Sequence, residues 1–239
     1  MIIEILFSEV CSLYGDSQNT EYLKATLPDA EFVFTALTDE PYFKDNTPDM
    51  IYIGAMSETT QRRVIEKLMP YKARIEELIA NNTVILATGN AAEVFTKHIS
   101  YVTEEIETDA LGIFDMTVDT NLFRRYNGKV LGTTDGLEIT GFRSQFSFMY
   151  GDNSNCGFLQ VVRGDGINKE SKIEGIRKNN FIGTSLLGPI LPLNPLFTEY
   201  LISLTGNKAD AAYRDAAMAA YNQRLKEFKD PSTVFGNNH

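Results

Sequence analysis

The chain has 239 residues, 43% hydrophobic and 23% charged, which argues against disorder as the main state and allows a substantial buried core. Its formal net charge of -10 repels phosphate backbones and argues against nucleic acid as a general partner. No run approaches the roughly 20 apolar residues that span a bilayer, so no membrane span is expected.

The opening "MIIEILFSEV" is apolar, carries Glu4 and has no basic leader, so it reads as a buried first strand rather than a signal peptide. "NTEYLKATL" reads as a helix, with cap residues between Asp16 and Asn19, and "EFVFTAL" as a second strand. "DMIYIGAM", after Pro48, is the third strand. A long helical stretch follows from Ser57 to Asn82. Val64, Ile65 and Leu68, then Ile75, Leu78 and Ile79, keep helical spacing, and Pro70 should kink or split it. "TVILAT" is the fourth strand. Strand-helix alternation of this kind predicts a parallel sheet covered on both faces.

The second half changes character. "KVLGTTDGLEITGF" predicts an antiparallel hairpin around Thr-Asp-Gly. "CGFLQVVRGDGIN" predicts a strand ending in a Gly-rich turn, and its "RGD" reads as turn chemistry. "NNFIGTSLLGPILPLNP" predicts a strand running into a Pro-rich loop, and "LFTEYLISLTG" a helix closed by Gly206. A last helix is expected over about 208–228, packed through Tyr213, Ala217, Ala220 and Phe228. With no repeat or convincing linker, the expectation is one domain over 1–239. Cys11 and Cys156 are read as free thiols in a cytoplasmic protein.

"TVILATGNAAEV", Thr83 to Val94, carries the functional question. A β-branched run stops at a sharp turn and a helix-forming run follows, the layout of a nucleophile elbow. Gly89 stands at its apex. Three other stretches join it in order. "SLYGDSQN" (Ser12 to Asn19) resembles the "nlYGD.gN" segment of class I glutamine amidotransferases of the cobyric acid synthase (CobB/CobQ) type. That group includes the glutaminase subunit of lipid II isoglutaminyl synthase. "IEGIRKNNFIGTSLLGPILPLNP" (Ile173 to Pro195) resembles the group's "EG...kNviGTylHGPlLpkNP". "ILATGNAAEVFTK" occupies the place of "iCGGYQLLGk", and "GFRSQ" (Gly141 to Gln145) that of "GFENH" or "GYEIH". The resemblance runs from about residue 10 to 200 and implies a flavodoxin-like α/β sandwich, mostly parallel, with a small antiparallel hairpin region.

The resemblance also implies a chemistry. A Cys at the elbow attacks the glutamine amide, and a His oriented by a carboxylate moves the proton. Backbone N–H groups at the elbow and after the third strand form an oxyanion hole, and ammonia passes to a synthetase partner. Aligned backwards from Lys97, Gly89 takes the Cys position, Asn90 and Ala91 the two Gly positions and Glu93 the Gln position. A slip of one residue puts Thr88 at the Cys position instead. The His position is Leu187. Only Gly54 keeps the third-strand turn, followed by Ala55.

The rest of the chain offers no evident rescue. His239 is the last residue, and His98 follows Gly89 by nine residues, about 13 Å away if the helix continues at about 1.5 Å per residue. There it reads as a surface residue near a helix end. Cys11 follows the first strand with no evident base, and Cys156 reads as a buried filler at a strand start. No His/Cys pair has metal-ligand spacing, and Asp39-Glu40 and Glu104-Glu105 read as solvated surface, so no metal or cofactor is expected. The leading reading is an amidotransferase-like protein that does not hydrolyse glutamine. It keeps a small-molecule pocket lined by Gly54, Ala55, Thr88, Asn90, Glu93, Arg143, Gln145 and Ser185. Glu93 opposite Arg143 makes either a polar cavity for an amino-acid-like zwitterion or an internal salt bridge. Two alternatives remain: a scaffold or regulatory subunit of a Mur-ligase-like synthetase, or a residual enzyme using Thr88, Ser185 or Cys11.

Overall fold

The structure, a computed structural model, describes residues 1–236. The first half runs β1 (Ile2–Leu6), α1 (Ser17–Thr26), β2 (Glu31–Thr35), β3 (Met50–Ile53), α2 (Glu58–Leu68), α3 (Lys72–Ala80) and β4 (Val84–Thr88). Then come β5 (His98–Tyr101), β6 (Ile106–Asp109), β7 (Thr117–Thr120), β8 (Tyr126–Thr134), β9 (Leu137–Gln145) and β10 (Ser147–Tyr150). The chain closes with β11 (Leu159–Arg163), β12 (Ile173–Glu174), β13 (Ile176–Lys178), β14 (Phe181–Thr184), α4 (Ile190–Leu193), α5 (Pro195–Ser203) and α6 (Arg214–Lys229).

The central sheet has the order β13-β14-β4-β3-β1-β2. All its pairs are parallel except the β13–β14 hairpin. Every residue of β3, β4 and β14 is buried, because the sheet is covered on both faces. The period of two sorts these side chains into two cores. Ile51, Ile53, Ile85 and Ala87 pack beneath α2 and α3, while Met50, Tyr52, Val84 and Leu86 pack on the other face with Leu191, Phe197 and Leu201. Each such large side chain contributes about 1.5–3 kcal/mol on burial. Pro70 acts as its missing N–H requires: α2 stops at Leu68, a 3-10 turn spans Met69–Tyr71, and α3 starts afresh. Ser57 caps α2, its Oγ accepting the Thr60 N–H at 3.2 Å.

Two four-stranded sheets lie beyond the central one, ordered β10-β7-β5-β6 and β12-β11-β8-β9. The β8–β9 hairpin turns on Asp135 and Gly136, both at positive φ (46° and 79°), the geometry that suits a two-residue hairpin. The sheet built on β5 was not expected from the sequence. After β4 the chain forms a 3-10 helix over Gly89–Phe95 and becomes extended again at Thr96. Thr96 Oγ1 donates to the Glu93 carbonyl at 2.7 Å and closes that turn. His98 therefore begins a strand three residues after that 3-10 helix ends.

Four further expectations are corrected. The last helix starts at Arg214, because Tyr213 is left-handed (φ 52°) and 79% exposed. Its packed side chains are Tyr221 and Phe228, with Ala217 half-buried and Ala220 exposed, the stripe that a step of four, three and four residues selects. The Pro-rich loop contains the short helix α4. Cys156 lies in the turn before β11 and is only half-buried. Among the described residues no helix is long and apolar enough to cross a membrane.

Candidate functional site

The carboxyl ends of β3, β4 and β14 lie side by side, where open α/β sheets receive ligands. β4 ends on extended Thr88 (φ -109°, ψ 150°), and Gly89 then turns at φ +61°. Glycine takes this conformation freely, whereas an L side chain pays about 1–2 kcal/mol. The space above the apex is full. A Cβ built on Gly89 would lie 2.7 Å from Ala55 Cβ and 2.7 Å from Leu187 Cδ2, closer than real Cβ contacts come. Leu187 is itself buried, and its N–H donates to the Phe142 carbonyl at 2.8 Å. The turn at Gly89 is thus closed above by an apolar plug of two side chains, Ala55 and Leu187.

Thr88 lies under that plug. It is fully buried, and its hydroxyl donates to Asp16 Oδ2 at 2.6 Å with Tyr52 Oη 3.1 Å away. Asp16 also accepts the Ala55 N–H at 2.8 Å. This aspartate was expected only as a helix cap, yet it makes no capping bond through its side chain. It is instead the buried tie between the ends of β3 and β4. Burial pushes its carboxyl above the usual carboxylate range, against the hydrogen bonds from Thr88, Ala55 and Tyr52. Burial and the Asp16 charge together hold the Tyr52 phenol well above its ordinary value. Gly54 makes the close approach possible, since a Cβ there would meet the Cys11 carbonyl at 2.5 Å and Asp16 Cβ at 3.2 Å.

Two backbone donors beside the apex are also engaged. Asp16 holds the Ala55 N–H, and Asn90 Oδ1 accepts the Met56 N–H at 3.0 Å while Asn90 Nδ2 donates to the Met56 carbonyl at 2.8 Å. Cys11 is buried with its thiol near Met56 Sδ, 3.8 Å away, and desolvation pushes it up to about 12. A thiol that keeps its proton at neutral pH is a poor nucleophile.

A cavity of about 30 Å³ opens beside the apex, walled by Ala55, Gly89, Asn90, Glu93, Gln145, Ser185 and Leu187 among others. Of the residues proposed for the pocket, Gly54 and Thr88 lie beneath it rather than on its wall. Arg143 is elsewhere: it is 1% exposed, with Nη1 donating to the Gly166 carbonyl and Nη2 to the Asp165 carbonyl at 2.8 Å. The expected pairing of Glu93 with Arg143 is therefore not formed. Glu93 Oε2 accepts from Gln61 Nε2 at 2.8 Å, and Oε1 accepts from Ser147 Oγ. Tyr101 Oη donates to Gln61 Oε1 at 2.8 Å and completes the network. Burial pushes the Glu93 carboxyl up to about 7, although Ser147 and Gln61 oppose the shift. Ser185 is held by Glu174, whose Oε1 accepts its N–H and its hydroxyl, both at 2.8 Å.

Sequence reasoning missed Asp16, Gln61, Tyr101, Ser147 and Glu174. A signal existed for Gln61, which falls at helical spacing on the apolar stripe with Val64, Ile65 and Leu68. His98 stands far from this chemistry in partner and place. On β5 its Nδ1 meets Asp109 Oδ1 at 3.0 Å and its Nε2 meets Glu107 Oε2 at 2.6 Å, and these hydrogen bonds raise its pKa. His239 lies outside the described residues. Among the described residues no imidazole lines the cavity.

Residues 2–194 match the CobB/CobQ-like glutamine amidotransferase domain family. A curated relative, the "Lipid II isoglutaminyl synthase (glutamine-hydrolyzing) subunit GatD" of Staphylococcus aureus (strain N315), is 31% identical over 155 residues. That match covers 64% of this chain and 62% of the relative, so the chain spans less than two thirds of its length. The protein of the same name from Streptococcus pneumoniae (strain ATCC BAA-255 / R6) is 24% identical over 228 residues, 93% of this chain and 86% of that one. Among solved structures, one titled a glutamine amidotransferase superposes with TM-score 0.55 at 14% identity, over 87% of this chain and 100% of that one. PurLQS from Thermotoga maritima gives 0.51 at 11% identity, over 94% and 98%. At such identities they establish the shared flavodoxin-like α/β fold.

Proposed function

The chain belongs to the CobB/CobQ-like glutamine amidotransferase domain family, and on that premise we propose that it does not hydrolyse glutamine and acts as a non-catalytic subunit. The reading is carried by one observation: the volume a nucleophilic side chain would need at Gly89 is occupied by Ala55 and Leu187. Misalignment does not explain this away. Moving the elbow back one residue leads to Thr88, which is fully buried with its hydroxyl given to Asp16. The engaged N–H groups of Ala55 and Met56 argue the same way, since an oxyanion hole needs donors that are free. A residual enzyme on Ser185 or Cys11 is disfavoured because the Ser185 hydroxyl donates to Glu174 and the Cys11 thiol is held protonated.

The names of both curated relatives describe a subunit of a glutamine-hydrolysing synthase. By analogy the chain would dock, in the cytoplasm, on a Mur-ligase-like synthetase as its scaffold or regulator. An amino-acid-sized pocket gains less support, because small-molecule sites run to about 300–1,000 Å³ and the cavity here is about 30 Å³. Two measurements test the proposal. Purified protein incubated with glutamine should release no ammonia above the blank, and glutamine-dependent release that disappears in Thr88→Ala, Ser185→Ala or Cys11→Ala would overturn it. Tagged chain should co-purify a Mur-ligase-like synthetase from its own cells, and recovery of the chain alone would remove the subunit role.

A further inference from the structure

Among the described residues, the buried Glu93 carboxyl has no counter-ion. Its partners Gln61 and Ser147 are neutral, and the charge acting on it is Glu58, of its own sign. Two cavities meet at this side chain, of about 30 and about 20 Å³, and both are walled by Gly89, Glu93, Gln145 and Ser185. Each holds a water-sized guest, for which about 10–15 Å³ suffices, and neither holds an amino acid. The charged residues on the two walls are Glu58, Glu93 and Glu174; no Lys, Arg or His lines either, among the described residues. Gln145 Oε1, on the shared wall, is a buried acceptor with no donor among the described residues.

A buried carboxylate lacking a counter-ion either keeps its proton or takes up a cation. The adjoining voids supply the room, the carboxylates supply the field, and Gln145 Oε1 supplies an acceptor. We propose that the paired cavities beside Gly89 bind a water-sized monovalent cation, ammonium or potassium, between the Glu93 carboxylate and Gln145 Oε1. A zwitterionic amino acid fits worse, because its carboxylate would face Glu58 and Glu93 with no cation to meet it. Three acidic, His or Cys groups do not converge anywhere among the described residues, so a multivalent metal is not favoured. The groups facing Glu93 are Gln61 and Glu58 from α2, Ser147 from β10 and Tyr101 from β5, with Arg62 stacked on the Tyr101 ring and paired outward to Glu104. Proton and cation compete for the same carboxylate, so binding strengthens as pH rises past about 7.

The inference deepens the reading of this site but does not depend on loss of hydrolysis. Glutamine turnover would overturn the proposed function and leave the ion untouched. The test is thermal unfolding of the whole protein at pH 8 and fixed ionic strength, in ammonium, potassium or tetramethylammonium chloride. At concentrations about tenfold above the dissociation constant, Tm should rise by about 3–6 °C in ammonium or potassium relative to tetramethylammonium. The rise should shrink at pH 6 and vanish in Glu93→Gln. A response to ammonium alone assigns the site to a hydrogen-bond donor, and an equal response to potassium assigns it to size and charge. Equal Tm in all three salts, or an unchanged response in Glu93→Gln, overturns the proposal. Should that variant not fold, carbon-13 NMR of the wild type decides: Glu93 must titrate lower in ammonium or potassium than in tetramethylammonium, and an identical titration overturns the site.

Discussion

Adding one methyl group at Gly89 probes the plugged elbow directly. In Gly89→Ala the new Cβ enters at 2.7 Å from both Ala55 Cβ and Leu187 Cδ2, on a residue at φ +61°. The left-handed backbone costs an L residue about 1–2 kcal/mol. Forcing a methyl into a filled interior costs about 1–3 kcal/mol more. The expected loss is about 2–5 kcal/mol, which for a chain of this size lowers Tm by about 4–20 °C. Leu187→Ala alone should cost about 2–5 kcal/mol through lost packing and a residual cavity. The double variant is the informative one. Shortening Leu187 removes half of the collision, so the pair should be more stable than the sum of the singles by about 0.5–3 kcal/mol. Urea denaturation of the four proteins measures this cycle. A Gly89→Ala variant within about 0.5 kcal/mol of wild type, or strictly additive singles, would refute the idea that the two side chains fill the nucleophile's place.

Four further outcomes follow from the same geometry. Glu93 rises from 4.5 to about 7 on folding, so the fold binds its proton more tightly than the unfolded chain does. Its stabilising contribution is complete below about pH 4.5 and is lost as pH rises through 7, up to about 3 kcal/mol at about 1.4 kcal/mol per unit; Glu93→Gln should therefore match wild type at pH 5 and exceed it at pH 8 in tetramethylammonium buffer, as read from urea midpoints. Asp16→Ala strands the Ala55 N–H and the Thr88 hydroxyl and should cost about 2–5 kcal/mol, with Asp16→Asn costing less; an unaffected midpoint would remove Asp16 as the tie between strand ends. Arg163 donates to the carbonyls of Phe228, Asp230 and Thr233 and stacks 4.2 Å from the Phe235 ring. Arg163→Lys cannot reproduce that fork, so limited proteolysis should cut sooner near 230–236, and an unchanged cleavage pattern would show the tail is held otherwise. Finally, Gly89→Cys with Leu187→His should still fail to hydrolyse glutamine, because Ala55 Cβ remains in the way and the Ala55 N–H stays with Asp16; ammonia release by that double variant would mean the plug is Leu187 alone.

The sequence displayed what depends on local pattern. "MIYI" and "VILAT" are short, β-branched apolar runs that suit strands buried on both faces, and Pro70 and Asp135-Gly136 mark a helix break and a hairpin turn by backbone chemistry. It hid what depends on partners far along the chain. Asp16 reads as a cap until the donors to its carboxylate are known, and these are 39 and 72 residues away. β5 and β7 are four residues each and become strands by pairing with one another and with β10, which no four-residue window reveals. Arg143 was set opposite Glu93 because the resemblance brings their two segments, fifty residues apart in the chain, to one pocket. The acceptors it uses are backbone carbonyls, which every residue carries and no composition records.

The filled elbow also has an energetic logic. An active elbow holds an L residue in a strained turn and keeps reactive groups unpaired in a cleft, both of which cost stability. Here glycine removes the backbone strain, Leu187 and Ala55 close the gap, Asp16 ties the strand ends and takes the Ala55 N–H, and Asn90 takes the Met56 N–H. Each of these features stabilises the turn, and each supports the proposal that the chain does not hydrolyse glutamine. What this stabilised turn still borders is a pair of water-sized voids around a carboxyl that has no counter-ion. A filled turn beside an acidic void fits both proposals, a chain that does not hydrolyse glutamine and a site sized for a monovalent cation. The salt series and the glutamine assay separate those two properties, because each reads a different atom set: Glu93 with Gln145 in one case, residues 55, 89 and 187 in the other.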